Sequence, residues 1–276
     1  MAGTAISILA VLMVGFATDL LLLGGVRHAR DQQTQYAQFR SALANGVAPV
    51  GQADDKGNLY PLGTPVALVE IPEIGMREVV LEGTTPGVLR SGPGHRRDTA
   101  LPGQAGTSVV MGRRAAYGGP FRHLDQLRVE DTFAVTTGQG QHTYRVTGIR
   151  RAGDPQPAPP TDGRGRLTMV TTTGSSLAPD GVLRVDADLT SEVQPAPARV
   201  LGSKSLPKSE QAMGTDRTVW VPIVLWGQAL LLAAVALTWT RARWGRWQTW
   251  VVGVPVLAAL GFAVADQAAG LLPNLL

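Results

Sequence analysis

The chain contains no cysteine among its 276 residues. Disulfide bonds and thiolate chemistry are therefore excluded, and the fold must depend on an ordinary hydrophobic core. Tryptophan is missing from the first 219 residues, and all six tryptophans lie between Trp220 and Trp250. Acidic residues are fewer than basic ones, so the chain has a net charge of +4 and a pI near 9.8. This balance suits an anionic cell envelope or membrane surface, and no nucleic acid partner is expected for an exported domain.

Hydrophobic residues are concentrated at the two ends of the chain. Residues 4–26, 219–240 and 250–272 form apolar stretches, each long enough to cross a hydrocarbon core of about 30 Å as a helix. The first stretch lacks a basic leader and a small-residue cleavage site, so an uncleaved signal anchor is favoured over a cleaved signal peptide. The predicted organisation is a signal anchor at 1–26, an extracellular spacer at 27–63, a barrel domain at 64–190, a flexible linker at 191–217, a transmembrane helix at 218–240, a cytoplasmic basic loop at 241–249 and a transmembrane helix at 250–273.

The charges between the last two apolar stretches predict the orientation. Arg241, Arg243 and Arg246 lie there without an acidic residue, and the positive-inside rule places such a loop in the cytoplasm. We therefore expect a plasma-membrane protein with three spans, a cytoplasmic N-terminus and an extracellular central domain. Arg27 and Arg30, just after the first span, argue weakly for the opposite orientation.

Two acids and one amide within the apolar stretches are candidates for contacts with a membrane partner. Asp19 and Asp266 fall at similar predicted depth, and Gln228 lies nearer the middle of its span. Acids inside a membrane are costly and usually face another protein or a polar cavity, so a partner protein is expected there. The alternative is that the spans end earlier and both acids are interfacial.

The central part of the chain alternates short apolar runs with turn residues, which predicts an all-β sandwich or barrel. The predicted strands are 66–71, 76–81, 107–111, 132–137, 142–149, 166–171 and 182–189. Brief helices are expected at 84–89 and 121–127. A proline-rich surface loop is expected at 153–165, because proline cannot donate to a strand ladder.

A series of motifs in this central part resembles one family. The matching segments are Leu68-Val-Glu-Ile-Pro-Glu-Ile-Gly75, Gly92-Pro-Gly-His95, Thr99-Ala-Leu-Pro-Gly103, Gly112-Arg-Arg114, Tyr117-Gly-Gly-Pro-Phe121, Leu124-Asp-Gln-Leu127 and Leu167-Thr-Met-Val-Thr-Thr172. In this order they resemble the sortases, in particular the actinobacterial class E and F type. The resemblance covers roughly 125 residues. It implies a closed β-barrel of about eight strands with short helices, and cysteine transpeptidase chemistry on a sorting-signal peptide.

The three catalytic positions that the resemblance implies are all substituted. The position of the family's histidine matches Arg113, that of its cysteine matches Thr172, and that of its arginine matches Gly181 or Val182. A guanidinium has no acceptor lone pair, so Arg113 cannot act as a general base. A threonine hydroxyl needs an adjacent base to become a nucleophile, and no histidine falls at the matching position.

Other residues of this region remain candidates for contacts with a ligand. His95 either touches a peptide in the groove or braces a loop. One interpretation is a cationic groove for a carboxylate or phosphate, formed by Arg113, Arg114 and Arg184. The other is that Arg114 is structural and the other two arginines are solvated. Strand alternation places Arg184 on the same face as Val182. Four further residues are expected to be structural or turn residues, namely His123, His142, Ser175 and Ser176.

Three functions are compatible with these patterns. The favoured one is a membrane-anchored extracellular pseudoenzyme of sortase type that binds a peptide, an envelope component or a partner protein without cleavage. The second is an assembly subunit that associates with other membrane proteins through its transmembrane helices. The third is an active transpeptidase or hydrolase with an unconventional serine or threonine nucleophile. No cofactor and no metal site is expected.

Overall fold

The computed structural model describes residues 24–161, 163–175, 178–202, 205–215, 219–244, 246–271 and 273–275. Most of the first predicted span, together with Asp19, lies outside the described residues. The described chain begins with helix α1 (Gly24–Ala44).

Eight strands form a closed barrel, as predicted. They are β1 (Pro65–Ile71), β2 (Met76–Glu82), β3 (Gly94–His95), β4 (Gly106–Met111), β5 (Thr132–Thr137), β6 (Gly140–Arg150), β7 (Gly165–Ser175) and β8 (Ala178–Leu189). Their order around the barrel is β1-β2-β3-β4-β7-β8-β6-β5, and β5 pairs with β1 to close it. The pairs β2–β3 and β4–β7 are parallel, and all others are antiparallel.

The alternation of side chains along each strand separates an interior from an outer face. On β7, Leu167 and Met169 point into the core, while Thr168 and Val170 lie on the other face. The same alternation on β4 and β8 gives the barrel a core built mainly from aliphatic residues with a stacked pair of aromatic rings, Phe133 and Tyr144.

Two short elements differ from the sequence prediction. Strand β3 has only two residues, too few for a periodic pattern to reveal it. The predicted helix at 121–127 is a single 3₁₀ turn, Leu124–Gln126. The predicted helix at 84–89 is present as α2 (Pro86–Ser91), where Thr85 accepts a hydrogen bond from the backbone N–H of Val88 and proline occupies the first helical position.

The segment predicted as a spacer begins with a helix that packs on the barrel. Phe39 of α1 is fully buried against Leu68, Val79 and Leu81 of β1 and β2. The Gln32 side chain also accepts a hydrogen bond from the backbone N–H of Val79 at 2.7 Å. An apolar position in an otherwise polar helix therefore fixes α1 to the outside of the barrel.

The segment after β8 also lies against the barrel, although its composition suggests a loose tether. Gln52 accepts hydrogen bonds from the backbone N–H groups of Val200 and Leu201. Glu210 is 1% exposed and accepts from Arg97 Nε at 3.0 Å. A buried ion pair of this kind holds the segment in place because separating it would leave a charge unpaired.

The C-terminal part forms a helical hairpin of α3 (Trp220–Trp244) and α4 (Arg246–Ala268). Both helices are long and apolar enough to cross a membrane. The predicted loop 241–249 is helical at its described residues, 241–244 and 246–249, because arginine, tryptophan and alanine are compatible with helix.

The end of α4 contacts the barrel domain. The Asp266 carboxylate accepts hydrogen bonds from Arg27 of α1 and Arg90 of α2, both at 3.2 Å. Beyond it, Ala269 is fully buried against Ala116 and Tyr117. The partners of Asp266 are therefore basic residues of the same chain. The predicted contact of Gln228 with another protein stays a prediction, and that residue lies on the exposed face of α3.

Candidate functional site

A cleft runs along the outer face of the barrel across β4, β7 and β8. Its volume is about 620 Å³. Val109 and Met111 of β4 and Val170 of β7 form an apolar floor. One wall is the proline-rich loop at 156–159, and the other is the segment at 210–212. We call the region around Thr172, which adjoins the cleft at Met111 and Val170, the closed end, and we call the part of the cleft at Arg184 the open end.

The closed end is filled by the C-terminal residues of the chain itself. The carbonyl oxygen of Leu275 accepts a hydrogen bond from the Thr172 hydroxyl at 3.3 Å and another from the backbone N–H of Arg114 at 3.2 Å. The Leu275 side chain is fully buried against Met111 and Val170. Backbone and side chain are thus both held, as they would be in a bound peptide.

Asn274 fixes the tail next to this position. It is fully buried, and its side-chain amide donates to the carbonyl oxygens of Ser209 at 2.7 Å, Gln211 at 2.8 Å and Thr84 at 3.2 Å. These acceptors belong to the wall of the cleft and to the loop before α2. The tail therefore connects two separate segments of the barrel domain.

Thr172 is positioned by β7, and no described residue beside it can act as a base. Its cross-strand neighbour is Val182, one of the two candidate positions for the family's arginine, and the other, Gly181, pairs with Thr173. In the part of the chain that the structure describes, the hydroxyl of Thr172 has one hydrogen-bond partner, the carbonyl of Leu275. That oxygen cannot take up a proton at neutral pH, so nothing there activates the hydroxyl.

Arg113 is fully buried, and its guanidinium stacks on a tyrosine. Its Cζ lies 5.1 Å from the centre of the Tyr117 ring, and its Nη2 donates to the Pro86 carbonyl at 3.4 Å. Burial lowers the pKa of Arg113 to about 10, with Tyr117 opposing and Arg90 adding to the shift. At neutral pH the side chain is still a cation, so it cannot accept a proton from Thr172.

Arg114 supports the closed end from the other side. Its Nη1 donates to the carbonyl oxygen of Thr172 at 3.0 Å, and its Nη2 pairs with Asp125 at 3.0 Å. The three arginines that were candidates for a common cationic groove are consequently in three different environments. Arg113 is buried and Arg114 is paired, whereas Arg184 lines the open end.

His95 lies inside the domain and braces a loop. It is fully buried, with Nδ1 2.9 Å from Glu82 Oε2 and Nε2 2.9 Å from the Ala100 carbonyl. Burial disfavours the imidazolium, but Glu82, the Ala100 carbonyl and Asp98 outweigh that effect and raise the pKa of His95. Its ring is enclosed, so a ligand in the cleft would not reach it.

The other three histidines are also occupied away from Thr172. His28 contacts Glu78, His123 contacts Gln126, and His142 contacts Thr137. Burial lowers the pKa of His142, which favours its neutral form. Ser175 is the last residue of β7. Ser176 lies outside the described residues.

The comparisons with known proteins agree with this architecture. A family model described as the sortase domain matches residues 69–180. Sortase E of Streptomyces avermitilis is 33% identical over 48% of this chain and 91% of that chain, with a TM-score of 0.41. The chain belongs to the sortase family. Sortases are a family of cysteine transpeptidases, and this chain contains no cysteine.

Two further relatives show how far the similarity extends. Sortase D of Bacillus subtilis is 30% identical over 96 residues, which are 34% of this chain and 47% of that protein. The sortase thus matches about half the length of that curated relative. A sortase C of Clostridium perfringens, solved with a C-terminal cell wall sorting motif, is 22% identical over 59% of this chain and 89% of that chain, with a TM-score of 0.45.

Sequence reasoning missed two parts of the site. The tail residues Asn274 and Leu275 have no local signal, because their contacts join segments far apart in the chain. The two acids of β8, Asp186 and Asp188, did have a signal, since they alternate with apolar residues within a predicted strand on the same face as Arg184, which was already a candidate from the sequence.

Proposed function

We propose that this sortase-family protein binds a peptide in its cleft without cleaving it, and that its apolar helices anchor it in the plasma membrane with the barrel outside. The observation that carries the proposal is the environment of Thr172. Its hydroxyl is engaged by a carbonyl oxygen of the tail, and none of the four histidines contacts it in the described part of the chain.

Loss of chemistry follows from what a transpeptidase requires. A nucleophile, a group that gives and takes a proton, and a donor for the developing oxyanion must converge on one carbonyl. Here those positions hold a hydroxyl without a base, a buried guanidinium, and either glycine or valine. A nucleophile at Thr172 would meet the same lack of a base among the described residues.

Peptide binding is supported by the way the closed end accepts the tail. A backbone N–H and a hydroxyl hold one carbonyl, and an apolar floor holds the side chain of the same residue. These are the elements by which grooves bind extended peptides. Sorting-signal peptides are the ligands of sortases, and the C. perfringens sortase C was solved with such a motif.

Membrane anchoring is supported by the exposed surface of the hairpin. Large apolar side chains on it are open to the surroundings, among them Trp220 at 56% and Trp247 at 79% exposure. A water-soluble protein rarely exposes so extended an apolar surface. At the tip, Arg243 lies over the Trp239 ring at 4.9 Å, which suits a membrane–water interface on the cytoplasmic side.

The test separates binding from turnover on the full chain in lipid nanodiscs. The probe is the sorting-motif peptide solved with the C. perfringens sortase C, labelled with a fluorophore, and a scrambled peptide is the control. We expect saturable binding of the motif by fluorescence anisotropy and an intact peptide by mass spectrometry after prolonged incubation with an added amine.

The matched control is Thr172→Val, which removes the hydroxyl and keeps the shape of the side chain. Wild type and variant should leave the peptide equally intact. Cleavage or transfer by the wild type that this variant lacks would establish an active threonine nucleophile. Failure of the motif to bind more tightly than its scrambled form would refute the peptide-binding function.

A further inference from the structure

The open end of the cleft contains a cation without an opposite charge. Each other charged residue of the lining has one: Arg150 pairs with Asp186, Arg166 with Asp188, Arg96 with Asp98, and Glu210 with Arg97. Arg184 makes no ion pair or hydrogen bond through its side chain within residues 24–161, 163–175, 178–202, 205–215, 219–244, 246–271 and 273–275.

The strand register explains why Arg184 has no acidic partner among the described residues of the barrel. Its partner on β7 is Val170, and its partner on β6 is Arg150. The nearest acid on its own face, Asp186, is already engaged by Arg150 Nη2 at 3.0 Å and by the Thr168 hydroxyl at 2.7 Å. A half-buried cation next to a second arginine is unfavourable in the empty cleft, and an anion from outside would relieve it.

The surroundings limit the kind of anion. Asp186 and Glu210 line the same cleft, so a doubly charged phosphate would meet two carboxylates as well as one free guanidinium. A singly charged carboxylate fits one guanidinium through two parallel hydrogen bonds. Beside Arg184, the half-buried Val109 of the apolar floor suits an aliphatic side chain.

We propose that Arg184 is the specificity-determining residue of the cleft and binds the carboxylate of an acidic peptide whose neighbouring aliphatic residue lies on the floor. This assignment rests on the proposed function and names the ligand class of the same site. The carboxylate can come from an aspartate or glutamate side chain or from the C-terminus of a peptide, and the two sources share one chemistry at Arg184.

The experiment uses the full chain in detergent micelles and short peptides that fit the open end. One pair of probes is acetyl-Leu-Ala-Glu-Ala-amide and its glutamine counterpart. A second pair is acetyl-Leu-Ala-Ala with a free carboxylate and with a terminal amide. Isothermal titration calorimetry gives Kd for each probe with wild type, Arg184→Gln and Arg184→Lys.

We expect the wild type to bind at least one carboxylate probe about fivefold or more tightly than its neutral counterpart, because a charge-assisted pair replaces a neutral hydrogen bond. The pair that shows the preference identifies the source of the carboxylate. Arg184→Gln should abolish the preference, and Arg184→Lys should retain part of it. The matched control is Arg128→Gln, which removes the charge of an exposed arginine outside the cleft and should behave as wild type.

The outcomes distinguish this inference from the proposed function. Binding of charged and neutral probes with equal Kd refutes the role of Arg184 and leaves the peptide-binding function standing. A preference that survives Arg184→Gln also refutes it. Absence of binding by every probe counts against the peptide groove itself. Unfolding curves of Arg184→Gln and Arg128→Gln show whether either variant has lost its fold.

Discussion

The two ends of the cleft satisfy their polar groups in different ways. At the open end, Arg150 of β6 and Arg166 of β7 pair with Asp186 and Asp188 of β8, so these charges are balanced within the sheet, whereas Arg184 has no acidic partner among the described residues. At the closed end, the hydroxyl of Thr172 and the backbone N–H of Arg114 are satisfied by Leu275, which follows the last helix of the protein. The open end is lined by barrel strands and by the segments at 156–159 and 210–212, whereas the closed end also needs residues that follow α4.

The difference lies in which segments supply the contacts. The barrel and the buried His95–Glu82 pair are formed within the strands and loops of the domain. At Thr172, by contrast, the segment around Leu275 covers the position. In the proposed function, a peptide reaches the open end directly but must compete with the tail at the closed end.

The largest loss of stability is expected from Asp186→Asn, which breaks the ion pair between Asp186 and Arg150. Asp186 is 3% exposed and accepts from Arg150 and Thr168, so its loss leaves the Arg150 cation unpaired in a half-buried site. We expect a decrease of about 3 kcal/mol in the free energy of unfolding. It is measured by denaturant titration, with β-sheet circular dichroism as the signal because every tryptophan lies in the hairpin region.

The control for this prediction is Asp188→Asn on the same face of the same strand. The Asp188 side chain is 41% exposed, so its pair with Arg166 should contribute less than about 1 kcal/mol. Equal losses for the two variants would contradict the view that burial of the pair at Asp186 stabilises the open end.

The second effect concerns the closed end alone. Asn274→Ala removes the donors to Ser209, Gln211 and Thr84, and should weaken docking of the tail by about 2 kcal/mol. Amide hydrogen exchange should then become roughly 30-fold faster at 205–215 and 273–275, with the barrel strands unchanged. Asn45→Ala, at an exposed helix end, is the control. Unaltered exchange in these two segments would show that the tail is not held by Asn274.

The third effect is on the pH dependence of stability. Because the folded pKa of His95 is raised above its ordinary 6.5, its contribution is complete below 6.5 and is lost as pH rises through the folded value. One proton accounts for at most about 1.4 kcal/mol per pH unit. The decline of Tm above pH 6.5 should be shallower in His95→Gln, and His123→Gln should keep the wild-type slope. Parallel curves for all three proteins would contradict a charged His95.

The smallest change in stability is expected from a substitution of Arg113. Its Nε and Nη1 lack hydrogen-bond partners within the described residues, so Arg113→Met removes a poorly satisfied buried charge. We expect stability to be unchanged or to rise by about 1 kcal/mol in thermal unfolding. Arg114→Met is the matched control, and it should destabilise because Arg114 is bonded to Thr172 and Asp125. A marked loss of stability in Arg113→Met would mean that stacking on Tyr117 outweighs the burial of the charge.

Local patterns were sufficient to predict most of the barrel. The alternation in β6 and the short apolar runs of β1 and β7 are visible in the sequence, and the ordered motifs predicted the closed topology. Because a strand has a period of two, the sequence also predicts that Arg184 lies on the same face of β8 as Val182. Strand β3 was missed because two residues carry no period.

Long-range contacts could not be predicted in this way. The bond between Thr172 and Leu275 spans 103 positions, and the pairing of Arg97 with Glu210 spans 113. Both depend on how the chain returns to the barrel after it leaves β8. The composition of residues 191–217 predicts a flexible linker. The sequence alone does not indicate that Glu210 within it is buried, or which cation it pairs with.

The carboxylate of Asp266, bonded to Arg90 and Arg27, affects how far the domain can search for a ligand. A barrel on a free linker of 27 residues would sweep a distance of about 30 Å from its attachment. With the end of α4 joined to α2, the proposed anchor instead holds the cleft at one height above the bilayer. If a partner in the same membrane presents its acidic segment at that height, the effective concentration of the segment at the cleft is high. A segment presented farther from the bilayer does not have this advantage.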